Sequence, residues 1–363
     1  MSQVLRFGVA ALLGTLAALP ALAGDFVYIH ARRSAEILAF ALESDGSLTP
    51  VPGSPFSTGL ASSRCGGYCQ AMAWSQRGRA LIAAGGDGIA SLVVAEDGSL
   101  SPAPGSPRSM PGDFLGTAAV RRGRYVYVND FDTGEVHGFA VERTGALVPV
   151  PGSPFATGAA GLNGMSAARR IVVSVNELAG SLIAFAVGRN GALTPGPNSP
   201  LPIVPGEDGF VYNVDVEPRG RFAYAGHCSG GDGVYGVAVR RRTAELTPLA
   251  DGPFATDLAV VCGGVALSRR GRLAIALEDR DEAQVFRRSL RSGSLEPLTA
   301  PQPLTGADSH ALSRRADLLV VSDSEDDTVT SYAVDRRTGA LTLVDQQPIT
   351  GARQANQTLL IRR

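Results

Sequence analysis

One phrase recurs along the chain and restricts its architecture more than any other feature. It reads DGSLTPVPGSPF at Asp45–Phe56, DGSLSPAPGSP at Asp97–Pro107 and TGALVPVPGSPF at Thr144–Phe155. It returns as NGALTPGPNSP (Asn190–Pro200), TAELTPLADGPF (Thr243–Phe254), SGSLEPLTAPQP (Ser292–Pro303) and TGALTLVDQQP (Thr338–Pro348). The shared leucines are Leu48, Leu100, Leu147, Leu193, Leu246, Leu295 and Leu341, spaced 46 to 53 residues apart. Seven copies at such a period predict stacked sheets arranged radially. Each unit opens with a small-residue strand such as GTAAV or GVALS and turns through an Arg-rich tetrapeptide such as RRGR. It continues into a short apolar strand such as YVYVN, then an alternating third strand, and ends on the phrase. Period-two alternation between Gly- and Pro-marked turns is the pattern of strands.

The ends agree with a closed ring. The first unit lacks an opening strand and begins at Phe26–His30, while a spare strand, Asn356–Ile361, follows the last unit. The expectation is an all-β, seven-bladed β-propeller over residues 24–363. Its blades are four-stranded, and the ring is closed by the C-terminal strand joining the N-terminal blade.

Residues 1–23 read as a secretory signal peptide. Arg6 precedes an apolar run from Phe7 to Leu19, Pro20 breaks it, and Ala21-Leu22-Ala23 supplies small residues before a cleavage site. The run is too short to span a bilayer. A periplasmic or secreted, soluble protein cleaved after Ala23 is expected. An even count of four cysteines in an oxidising compartment favours two disulfides. Cys65 and Cys69 share one loop, and Cys228 and Cys262 fall in neighbouring blades, so Cys65–Cys69 and Cys228–Cys262 are the expected pairs. A zinc site of all four thiolates would have to span the disc.

The 44 Gly and 23 Pro suit a turn-dense β protein, and the net charge of −1 argues against nucleic acid as a partner. Every basic residue is Arg, so chemistry that requires Lys is excluded: a Schiff base or a Walker-A loop. Charge is sorted by face. Arg121, Arg122, Arg124, Arg219, Arg221, Arg269, Arg270 and Arg272 sit in turns on one side of the disc. Asp130, Asp132, Glu278, Asp279, Asp281, Glu325, Asp326 and Asp327 sit in turns on the other, where the cysteines also map.

The repeated phrase resembles the bacterial seven-bladed propeller lactonase family, which holds 6-phosphogluconolactonase-like and carboxymuconate-cyclase-like proteins. Tyr125–Val141 (YVYVNDFDTGEVHGFAV) and Leu318–Val334 (LLVVSDSEDDTVTSYAV) are similar to YVTN-type propeller repeats. The resemblance covers the mature chain and implies the same fold. It implies enzymes with His, Arg and Glu around the channel mouth, often with a Pro-His step and an Asp-Pro-x-Gly-Arg turn. Here no Pro-His dipeptide occurs, and only Glu217-Pro218-Arg219-Gly220-Arg221 approaches that turn. No catalytic residue carries over by motif.

Among four histidines, His310 on an innermost strand is the candidate general base, with Asp308 beside it to bias its protonation. In register it aligns with Val214 and Val265, which also makes it a candidate packing residue. His30, His137 and His227 read as strand-end, third-strand and disulfide-loop residues. Loops between blades direct Arg64, Asp113, Asn163, Glu207, Asp208, Asn213, Asp257 and Arg353 toward the acidic-face mouth. Arg353 suits a carboxylate anchor and Glu207 an acid or base. Asp130–Glu135 and Asp323–Asp327 lack EF-hand spacing, and no metal or cofactor is expected. The reading that follows is a monomeric scaffold accepting a small molecule or an envelope protein at the mouth. The alternatives are a lactone hydrolase using His310, Glu207 and Arg353, and an envelope or carbohydrate binder using the Arg face.

Overall fold

The computed structural model describes residues 25–361 except 65–67, 205–209, 230–232, 269–271, 279–280, 314 and 353–354. The segment expected to be a signal peptide, with Cys65, Glu207, Asp208 and Arg353, lies outside the described residues. Those described contain strands and turns, with no helix, and so none long and apolar enough to cross a membrane.

Seven antiparallel sheets form the ring. In blade one, Ala355–Ile361 is the innermost strand and pairs with Asp25–Ala31, which continues outward to Glu36–Leu42 and Leu48–Pro50. The C-terminal strand therefore completes the N-terminal blade, as the sequence predicts. Five sheets carry a fifth, two-residue strand beyond the expected four, such as Phe56–Ser57 or Phe155–Ala156, paired to the third strand. The repeated phrase explains it. Its Pro-Gly-Ser-Pro segment, Pro-Asn-Ser-Pro in blade four, bulges away from the third strand and leaves a main-chain N–H unpaired, and the serine hydroxyl takes that N–H. The bonds are Ala39 N to Ser54 Oγ (3.0 Å), Gly138 N to Ser153 Oγ (2.9 Å) and Ala184 N to Ser199 Oγ (2.9 Å).

The phrase also ties blades together. Its glycine takes a left-handed conformation (φ +95° at Gly46, +91° at Gly191), which turns the chain tightly and presents a carbonyl to the preceding blade. Tyr28 Oη donates to Gly98 O (2.8 Å), Tyr127 to Gly191 O (2.7 Å) and Tyr224 to Gly293 O (2.6 Å). Ser331 of blade seven donates to Gly46 O of blade one (2.7 Å), so the stitching crosses the closure. Each tyrosine is buried, and its hydroxyl has the partner that burial demands. Between blades lie separate apolar layers, for example Val172, Ile183, Phe185 and Leu162 of blade four against Tyr127 and Val136 of blade three.

Candidate functional site

The seven innermost strands wall an axial cavity of about 1650 Å³. In five of the seven inner strands one register position carries a short side chain, Ala73, Ala118, Ser166, Ala266 and Ala311, and all five line it. The register repeats in blade five, where the residue is Asp215. A carboxylate thus stands where four other blades place an alanine methyl, blade four Ser166 and blade one Leu359. The sequence reading missed it, and the signal was present: an Asp flanked by Val214 and Val216 in a strand otherwise built of small apolar residues.

His310 is the partner of Asp215. It occupies the register of Val214 and Val265, yet it is not enclosed as they are. Its ring lines the cavity and leans over blade six. Gly264 makes this possible: a Cβ there would lie 3.2 Å from His310 Cε1, and the residue sits at φ +90°. His310 Nδ1 is 2.9 Å from Gly263 O, and Nε2 is 3.6 Å from Asp215 Oδ2. A carbonyl only accepts, so Nδ1 carries the proton and the lone pair of the neutral ring is on Nε2, beside the carboxylate. Asp215 Oδ2 receives no hydrogen bond and is shut off from solvent. Gln70 Oε1, Thr117 Oγ1, Asn213 Oδ1 and Gln357 Oε1 are likewise buried without a donor among the described residues. All line the same cavity, which therefore offers acceptors to a ligand rich in hydroxyl groups.

The end of the channel nearest His310 is roofed. Tyr68, on the loop leading into blade two, stacks on Tyr212 leading into blade five, with centroids 5.2 Å apart. Phe210 stacks on the far side of Tyr212 at 6.3 Å. Blades three and four separate those two blades, so the contact carries the loop across the channel end. Cys228–Cys262 is a disulfide beneath this roof, and Cys69 is disulfide-bonded; Cys65, its expected partner, is outside the described residues.

The loop residues expected at the mouth divide into three groups. Asn213 and Asp308 line the cavity, Asp308 being 7% exposed with its Oδ2 accepting from Ser324 N at 2.6 Å. Asp113 and Asn163 are buried beside it rather than in its lining. Asp113 accepts from Arg64 N (3.1 Å), and burial pushes its carboxyl up from the ordinary value. Asn163 donates to Glu177 (2.7 Å), whose carboxyl burial also raises. Arg64 and Asp257 face away from the cavity. The Arg64 side chain is 79% exposed and pairs with Asp132 at 3.5 Å. Asp257 is exposed and holds Gln284 of the third strand of blade six through two hydrogen bonds, remote from the axis. Radial position explains this: a loop crossing from outer to inner strand passes the third strand first.

Near this end lie His30, which the sequence left as a strand-end residue, and Arg32. Burial, and then Arg32, lowers the His30 imidazole to about 4. Arg32 is itself lowered to about 10, by burial and Arg33 against the pull of Asp113 and Asp308. Glu217, in the near-match to the family turn, is 1% exposed and clasps the Arg219 and Arg221 main-chain N–H groups, with Arg288 Nη1 at 3.9 Å. Its work is to hold that turn. No group of three or more His, Cys, Asp or Glu side chains with metal-binding geometry occurs among the described residues.

No protein-family model matches the chain, and no curated protein sequence does. Solved structures do. The periplasmic gluconolactonase of Pseudomonas aeruginosa superposes with a TM-score of 0.70 at 16% identity, covering 93% of this chain and 99% of that one. A candidate 6-phosphogluconolactonase of Bacteroides fragilis gives 0.69 at 14% identity, over 95% and 99%. A protein from Lactobacillus plantarum gives 0.69 at 15% identity, over 93% and 99%. The sequence resemblance to lactonase-type propellers is thus matched by the fold.

Proposed function

We propose that the axial cavity hydrolyses a small, hydroxylated lactone. The observation that carries this reading is the orientation of His310. Gly263 fixes its proton on Nδ1, and Nε2 faces the cavity beside Asp215. In the reaction Nε2 accepts a proton from water as the water oxygen bonds to the lactone carbonyl carbon. Asp215 stabilises the imidazolium so formed. Collapse of the adduct breaks the ring C–O bond, the alkoxide takes the proton back from His310, and a hydroxy acid leaves. The orphan acceptors of Gln70, Asn213 and Gln357 suit the hydroxyls of a sugar-acid lactone. Glu207 and Arg353 keep their sequence-based roles as acid/base and carboxylate anchor.

The lactonase reading is preferred to the binding-scaffold reading on two grounds. The scaffold's site was the acidic-face mouth, and Tyr68 and Tyr212 lie across that end. The similar structures with the higher TM-scores whose names give an activity are lactonases or lactonase candidates. Export to the periplasm fits the disulfide and the apolar N-terminal segment, and the similar Pseudomonas aeruginosa protein is described as periplasmic.

The test is hydrolysis of a panel of sugar-acid and muconate-type lactones by residues 24–363, against the spontaneous rate. Turnover should exceed that rate and fall by roughly 10²–10⁴-fold in His310→Ala, with a smaller loss in Asp215→Asn. A flat panel removes the enzyme reading. Turnover that survives His310→Ala keeps the enzyme and removes this base.

A further inference from the structure

We propose that the opposite end of the channel is a second site, which binds a small multivalent oxyanion. The turns of blades three, four and five bring Arg121, Arg122, Arg169, Arg170, Arg241 and Arg242 into the lining of the same cavity. All but Arg121 are exposed, so solvent reaches the cavity here. Several arginines elsewhere are engaged: Arg64 with Asp132, Arg240 with Glu245, Arg221 and Arg288 with Glu217, Arg77 with Val141 O. None of the six donates a side-chain hydrogen bond or forms an ion pair among the described residues. Arg121 shows what is missing. Its Nε and Nη2 are both shut off from solvent with no acceptor. Buried guanidinium donors call for an oxygen partner, and the forked geometry of Arg matches phosphate and carboxylate oxygens in pairs.

No carboxylate of the lining answers this charge among the described residues. Asp215 and Asp308 are set back toward His310. Strand rise puts Arg121 about 13 Å from Thr117, which shares the His310 level, so an anion held by the arginines leaves the His310 end free. Between blades four and five the cavity runs off the axis over Ala186, Val187 and Pro218, with Arg169, Arg170, Arg241 and Arg242 on its sides. That shape takes an elongated ligand with two or more anionic groups. A single chloride or acetate would leave most of the guanidinium groups unmatched. The site does not depend on lactone hydrolysis at His310.

The chain carries its own reporter. Trp74 is the only tryptophan, and it lines the cavity two residues deep from the Arg end of its strand, next to Gln76. Residues 24–363 would be titrated with tripolyphosphate and separately with citrate, at ionic strength held constant with sodium chloride, following Trp74 fluorescence and heat. A saturable response is expected from at least one. Binding should weaken at least roughly tenfold in the Arg121→Gln/Arg169→Gln variant and fall as salt rises. It should be unchanged in His310→Ala. A response to tripolyphosphate alone assigns phosphate chemistry, and one to citrate alone assigns carboxylate chemistry. Absence of saturable fluorescence and heat with both anions overturns the proposal. So does binding that the double variant leaves intact while its circular dichroism remains native.

Discussion

The two ends of the channel are built on the same seven strands and end in opposite chemistry. At the roofed end, charged and titratable groups are buried and held: Asp308 by Ser324 N, Asp113 by Arg64 N, Glu177 by Asn163, His310 by Gly263 O. At the other end, six guanidinium groups stand in one concavity with no ion-pair partner among the described residues. The inner strands cannot produce this difference, because their register is common to all blades. Loop length does. Connections into a blade are long and fold back over the axis, as Tyr68 does to meet Tyr212. The turns after the inner strands are tight, with left-handed residues such as Arg121 (φ +53°) and Arg122 (φ +59°), and they place their side chains at the rim of the cavity instead of folding over it. The roofed end should respond to pH and to loss of its cross-links, and the Arg end to salt.

The largest effect expected on stability is at the roofed end. Cys228 and Cys262 are 34 residues apart in the chain, and closing a loop of that size removes about 3–4 kcal/mol of unfolded-state entropy. Cys228→Ser/Cys262→Ser should lower the stability measured by urea unfolding by that order, without changing the Trp74 anion titration. A loss below about 1 kcal/mol would mean that the roof is held by packing alone.

His30 gives the next effect. In the unfolded chain it takes up a proton near pH 6.5, whereas in the fold burial delays this until about 4. The unfolded state therefore binds more protons between those values. Stability is intact above pH 6.5 and is lost as pH falls toward 4, by about 3 kcal/mol at full extent. Asp113 and Glu177, raised by burial, act in the opposite sense, since the fold takes up their protons first. The difference between wild type and His30→Gln isolates the histidine. Urea midpoints followed from pH 7.5 to 4.5 should fall more steeply in wild type, and parallel curves would remove His30 as the cause.

Much of this was legible in the sequence, and the limits have physical reasons. The leucines and glycines of the repeated phrase fix the blade count because each is a local requirement: a buried contact or a left-handed turn. Ring closure was legible from the unpaired strands at Phe26–His30 and Asn356–Ile361. The pairing of Cys228 with Cys262 followed from blade adjacency. The site was less legible because facing across a channel is not a local property. His310 falls in the register of Val214 and Val265, and nothing in its own strand shows that Gly264 of the next blade gives the ring room to lean out. Asp215 was visible as an acid among valines, but its partner is 95 residues away in sequence. Asp257 was misplaced because its loop passes Gln284 before reaching the axis. The roof could not be read at all, since Tyr68 and Tyr212 meet only once the ring has closed.

The smallest effect is the one that bears most directly on the difference between the ends. If the arginines of the Arg end repel one another across an unneutralised concavity, removing one should stabilise the protein rather than harm it. Arg122 is exposed and donates no side-chain hydrogen bond among the described residues, so Arg122→Gln removes charge with little packing. The gain should be within about 0.5 kcal/mol in dilute buffer, the usual range for a surface change. It should vanish near 1 M salt, where charges farther apart than about 3 Å are screened. Tripolyphosphate at saturation should reverse the order and make wild type the more stable, because a ligand bound only by the folded state stabilises it in proportion to its affinity. Thermal unfolding of the two proteins under those three conditions reads all of this. A variant less stable than wild type in dilute buffer would show that Arg122 is held by a partner, and that the Arg end is neutralised from within, as the roofed end is.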